Sequence, residues 1–239
     1  MSKSVERSLS SITVESDCER YLHIIRYEAD AVNVVYKFSG NADYLKRRLE
    51  LLDTILGAQL NPTAFRNVIR QAEYDSAATE LTLADEETRS GGISEGPRVR
   101  RNKALQLFKQ FVQGFDSEID AAKREGKCTT DVLEGSDFPS YVIGAMQVAT
   151  VAIKQREVQI ATEYLNRCLL LLQTVPDALT MYPELEEHKR QCKEMIELLG
   201  HDGNPRGSGS TPTAPAHVML PKSVEMSHAR VKAVRLVRR

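Results

Sequence analysis

VQIATEYLNRCLLLLQTV, residues 158–175, decides the fold class. Val158, Ala161, Leu165, Cys168, Leu172 and Val175 recur at alternating steps of three and four. That spacing lays one apolar stripe along a helix. Ile160, Tyr164, Leu169, Leu170 and Leu171 widen the stripe, so this helix needs neighbours on several sides. The sequence supplies two. YVIGAMQVATVAI, residues 141–153, is apolar nearly all round, and residues 184–199 place Leu185, His188, Cys192, Met195, Ile196 and Leu199 at helical spacing. The three segments are expected to pack together with 158–175 in the middle.

Working outward, the same period recurs. Leu22, Ile25, Ala29, Val32 and Tyr36 share a face in a helix expected over about 16–38. Gly40 suits the left-handed residue just past its end. Leu45, Leu49, Leu52, Ile55 and Leu56 mark a second helix over about 43–56. Asn61-Pro62 pairs an N-cap with a proline at the first helical position and opens a third helix. The helix runs through Phe65, Val68, Ile69 and Ala72 and on to Leu81, with its stripe fading beyond Asp75 into the polar LADEETR. SGGISEGP, residues 90–97, is a break. Leu105, Phe108, Phe111, Val112, Phe115, Ile119 and Ala122 mark a fourth helix, and Pro139 opens a fifth after a loop over 126–138. The expectation is an all-α protein of about seven helices, in one or two packed bundles with a disordered C-terminal tail. The boundaries are a flexible 1–13, an N-terminal helical region 14–125, a three-helix unit 139–199 and a basic tail 200–239.

Composition bounds the function. The 239 residues are 41% hydrophobic and 27% charged, as in an ordinary globular protein. Trp is absent and aromatics are 6%, leaving few rings for stacking on bases or sugars. Residues 200–239 carry seven Lys/Arg against Asp202 and Glu225, a net +5, so the overall −1 leaves −6 on residues 1–199. Polyanion contact is therefore expected in the tail, at Arg230, Lys232, Arg235, Arg238 and Arg239. Arg98, Arg100, Arg101 and Lys103 offer a second basic cluster, which can equally pair with the acidic run Asp85-Glu86-Glu87. The four cysteines form no CxxC pair and suit a reducing compartment. His188 and Cys192 have the spacing of two zinc ligands but no second pair nearby, so no metal site is expected. No catalytic motif, cofactor site, signal peptide or membrane-spanning run is legible, which points to a non-enzymatic cytoplasmic protein, peripheral at membranes or endosomes.

Two short strings carry partner chemistry. Pro212-Thr213-Ala214-Pro215 resembles the PTAP late-domain motif of retroviral Gag and matrix proteins and of endosomal adaptors. The resemblance implies binding to the ubiquitin-E2-variant domain of ESCRT-I by a segment biased toward polyproline II. Tyr182-Pro183-Glu184-Leu185 matches the YPxL pattern that engages the ALIX adaptor, although Pro183 and Leu185 also read as an ordinary helix start. The 141–199 spacing resembles a tetratricopeptide hairpin or a microtubule-interacting-and-trafficking unit. The resulting expectation is a helical adaptor or structural protein that recruits ESCRT-I, viral or cellular. The alternatives are a nucleic-acid-binding protein (a nucleoprotein or its cofactor) that also contacts anionic membrane through its tail, or a scaffold subunit. Homo-oligomers are compatible with each.

Overall fold

The computed structural model describes residues 18–91, 95–127, 132, 133, 135, 137–175 and 178–202. Among them are eight helices: α1 (Cys18–Ser39), α2 (Ala42–Leu56), α3 (Arg66–Arg89), α4 (Gly96–Arg124), α5 (Asp137–Lys154), α6 (Val158–Thr174), α7 (Ala178–Met181) and α8 (Leu185–Asp202). The described residues contain no strand and form one compact unit. The chain is all-α. Residues 205–239 belong to a second unit that lies outside the described residues. No helix of the described residues is long and apolar enough to cross a membrane.

The helices stack in chain order. α1 packs on α2, α2 on α3, α3 on α4, α4 on α5 and α5 on α6, and α8 closes the far end against α6 and α5. Consecutive amphipathic helices joined by short links bury their apolar stripes against the next helix in line, as in helical arrays. α6 takes the middle position its periodicity demands. Ala161, Leu165, Cys168, Leu172 and Val175 are buried between α5 and α8. Leu22, Ile25 and Ala29 of α1 form a core with Leu51, Leu52 and Ile55 of α2 and Ala72 of α3.

Local chemistry sets the boundaries. Gly40 ends α1 at φ +66°, a conformation glycine adopts without strain, and its N–H donates to the Tyr36 carbonyl at 2.7 Å. Asn41 caps α2 by accepting from the Asp43 N–H at 2.9 Å. Asn61 accepts from the N–H groups of Thr63 and Ala64 at 3.0 and 3.3 Å, although the regular helix begins only at Arg66.

Helix three does not end near Leu81: its stripe turns partly polar beyond Asp75, but α3 runs to Arg89. Its later turns bury Ser76, Thr79 and Glu80 beside Ala77, Leu81, Leu83 and Ala84. Thr79 and Glu80 take partners from neighbouring helices, whereas the Ser76 hydroxyl has none among the described residues. Arg48 of α2, 6% exposed, donates to Thr79 Oγ1 at 2.8 Å and pairs with Asp75 at 3.1 Å. Glu80, 3% exposed, receives Arg100 at 2.7 Å and Lys103 at 2.9 Å from α4. Asp85 receives Arg101 of α4 at 3.4 Å and Lys154 of α5 at 2.9 Å. The short α7 was not expected from the sequence; its four residues are too few to show a period.

An aromatic ladder joins α3, α4 and α5. Tyr74 meets Phe108 and Phe111 at ring separations of 5.4 and 5.3 Å, Phe111 meets Phe115 at 5.3 Å, and Phe115 meets Tyr141 at 6.0 Å. Arg70 lies with its guanidinium carbon 3.9 Å above Phe115. It donates to the Gly114 carbonyl and pairs with Glu118, both at 2.7 Å. Gly144 lets α5 approach α4 closely: a Cβ there would lie 2.4 Å from Phe111 Cε1.

Candidate functional site

The stack leaves two features its own packing does not use. The first is an open groove of about 540 Å³. α3 contributes Ile69 and Glu73, α4 contributes Leu107, Gln110, Gln113, Gly114 and Ser117, and Leu56 at the end of α2 closes one side. Glu73 is the single ionisable group of this lining. Desolvation by burial pushes its carboxyl up to about 7, against a lowering by the Arg70 charge. No close ion pair joins the two: Arg70 Nη2 is held by the Gly114 carbonyl and Glu118. The groove thus sets a partly buried acid among amides, a hydroxyl and three aliphatic side chains. That combination suits a basic or amide-bearing side chain of a partner segment, which would restore the carboxylate.

The second feature lies on α1, on the side away from α2. Tyr27 is 72% exposed, Val34 49%, Val35 42% and Phe38 89%. Ala31, between them, is exposed as well. Most exposed hydrophobic side chains occur singly, whereas these share one helix face. The sequence had signalled neither feature. The α1 stripe was legible at the spacing of residues 27, 31, 34 and 38, but the inward stripe drew the reading. The groove depends on which helices pack together, which no local pattern states.

The residues expected to contact polyanions divide sharply. Arg100 pairs with Glu80 and Glu87, each at 2.7 Å, Arg101 with Asp85, and Lys103 with Glu80. The Glu80 hydrogen bond holds the Lys103 ammonium above its ordinary range. Three of the four cations therefore face carboxylates of the fold, while Arg98 is exposed. Arg230, Lys232, Arg235, Arg238 and Arg239 lie outside the described residues, as do Pro212, Thr213, Ala214 and Pro215.

The YPxL string is built into the fold. Leu185 is fully buried, its N–H donates to the Tyr182 carbonyl at 3.0 Å, and the Tyr182 ring stacks on Phe138 at 5.5 Å. As folded, Tyr182, Pro183 and Leu185 form a helix start and do not present an extended ligand. His188 is also buried, with Nδ1 3.0 Å from the Glu184 carbonyl. No group of three His, Cys, Asp or Glu among the described residues could hold a metal. Cys168 and Cys192 meet between α6 and α8. Their mutual hydrogen bond, with burial, raises the Cys168 thiol well above its ordinary value.

A serial stack of amphipathic helices, with a groove and an apolar face left open, defines a helical protein of the interaction-surface class. Within that class, the chain belongs to the family described as KIF-1 binding protein C terminal, whose model matches residues 2–202. The match covers every described helix. No curated protein matches the chain, and no solved structure does.

Proposed function

We propose that this chain is a non-catalytic helical adaptor that binds a kinesin of the KIF-1 class. The family match over residues 2–202 carries the reading, since the family is described by binding to KIF-1. The fold is compatible with it: stacked helices offer extended surfaces to protein partners. We place the contact at the Glu73 groove, where a lysine or arginine of the kinesin would meet the carboxylate and its backbone would meet Gln110 and Gln113.

The test is a titration of KIF-1 motor and stalk segments onto the intact chain, followed by biolayer interferometry. Binding of one segment is expected, weakened at least tenfold by Glu73→Lys with the helical circular dichroism unchanged. No binding by any segment overturns the adaptor reading. Full binding by Glu73→Lys moves the contact to another face.

The tail supports a second reading through its own motif. Pro212–Pro215 supplies two prolines and a small alanine, the pattern that docks on ESCRT-I in late-domain proteins. A peptide of residues 210–217 is expected to shift resonances of the ubiquitin-E2-variant domain at micromolar to millimolar concentration, about −4 to −8 kcal/mol. Equal shifts from a Pro215→Leu peptide would reduce the motif to composition.

A further inference from the structure

α1 is apolar on two opposite faces, and the fold covers only one. Leu22, Ile25 and Ala29 are buried against α2 and α3. Tyr27, Ala31, Val34 and Phe38 form the other line, with Val35 at its edge. Every other long helix but α8 has a packed helix on both sides of it in the stack, whereas α1 has α2 and α3 on one side only.

We propose that the outer face of α1 is a self-association surface, on which α1 of a second copy packs antiparallel about a two-fold axis between Ala31 and Val34. The spacing supports a second copy over an unrelated partner. Residues 27, 31, 34 and 38 step by four, three and four, and this pattern reads the same in either direction. A two-fold interface requires such self-complementarity, because each residue that contacts another is contacted by it in turn. In this register Tyr27 meets Phe38 of the second copy, and Ala31 meets Val34. Small residues at the centre let the helices approach to about 8–10 Å while the aromatic rings close both ends.

The area is sufficient. Each large aromatic side chain can bury roughly 150–250 Å², so the four rings of two copies supply roughly 600–1,000 Å². With the valines added, the total comes to about 1,000 Å² at most, the size of a weak, reversible interface. The proposal is independent of the kinesin reading, which uses the groove on the other helices.

Sedimentation equilibrium of the intact 239-residue chain tests it, over about 1–200 μM, the range set by a modest apolar interface. The weight-average mass is expected to rise from 26.8 kDa toward twice that value. Phe38→Glu is expected to weaken association at least tenfold, and its thermal midpoint should hold because the side chain is 89% exposed. Leu170→Glu, at a 61% exposed position on α6, is the control and should leave association unchanged. Mixing Ala31→Cys with Val34→Cys chains should give more oxidised dimer than either variant alone, which fixes the antiparallel register. A monomer at every concentration overturns the proposal, as does a dimer that survives Phe38→Glu. Association that arises only after deletion of residues 1–17 assigns the face to that segment and also overturns it.

Discussion

Glu73 should make the protein less stable as the pH rises, and Glu73→Gln should remove that dependence. The unfolded carboxyl titrates near 4.5 and the folded one near 7, because burial between α3 and α4 disfavours its charge. A raised folded pKa means that the native state holds the proton more tightly. This contribution is complete below about pH 4.5 and is lost as the pH climbs to about 7. Among the described residues, Arg70 is the charge that acts on Glu73, and the polar groups α4 sets along the groove are the amides of Gln110 and Gln113 and the hydroxyl of Ser117. One pKa unit corresponds to about 1.4 kcal/mol, so the rise caps the effect at about 3 kcal/mol. The groove is open to water, and solvent screening reduces this to about 1–2 kcal/mol. For a chain of this size that is a difference of about 2–8 °C in thermal midpoint. Calorimetry at pH 4 and pH 8 on both proteins reads it. Glu73→Gln should match the parent at pH 4 and exceed it at pH 8. An equal pH response in the two proteins would show that the native carboxyl is already charged below pH 7 and that the groove is wetter than its packing implies.

Three further outcomes follow from the core. Leu165→Ala should cost about 2–5 kcal/mol by urea denaturation, since Leu165 is fully buried at the centre of α6; a loss below about 1 kcal/mol would contradict the central position of that helix. Arg48→Met should cost about 3–5 kcal/mol by leaving Asp75 buried without its cation, and Arg48→Met with Asp75→Leu should recover most of it in a double-mutant cycle. Gly144→Ala should cost about 1–3 kcal/mol because the new methyl group meets Phe111 at the α4–α5 contact; an unchanged midpoint would mean that the ring turns aside freely.

The helices with an apolar period were legible because their burial is written at steps of three and four. α6 is the clearest case, and the stop at Gly40 and the cap at Asn61 were legible from turn chemistry. The second half of α3 was not. Its inward face carries Ser76, whose buried hydroxyl has no hydrogen-bond partner among the described residues, and Thr79 and Glu80, which read as solvent-facing until their partners are known. Those partners, Arg48, Arg100 and Lys103, lie 20 to 31 residues away in sequence, outside any helical window. The basic cluster at 98–103 and the acidic run at 85–87 were each visible, and their pairing was one of two open readings. The structure pairs Asp85 and Glu87 with Arg101 and Arg100, but gives Glu86 to Arg89 and Tyr36.

Charge placement on α3 explains why this stack settles in one register. Apolar ridges on successive helices can slide by a turn and still bury similar area. Ion pairs between helices cannot, because a shift of one turn, about 5.4 Å, pulls each charge from its partner, at greatest cost where the charge is buried as at Glu80. α3 carries such pairs at three levels: Asp75 with Arg48 of α2, Glu80 with Arg100 and Lys103 of α4, and Asp85 with Arg101 of α4 and Lys154 of α5. They fix four consecutive helices to one another. The outer face of α1 carries the opposite design, a line of apolar side chains with no buried ion pair to set register. In the proposed self-association, such a face would bind by area and spacing alone, so its association constant should change little with salt while the fraction associated rises with protein concentration. In the proposed kinesin contact, a charge forms on Glu73 on binding, so that affinity should respond to salt and pH. Salt dependence measured alongside concentration dependence therefore separates the two surfaces within one protein.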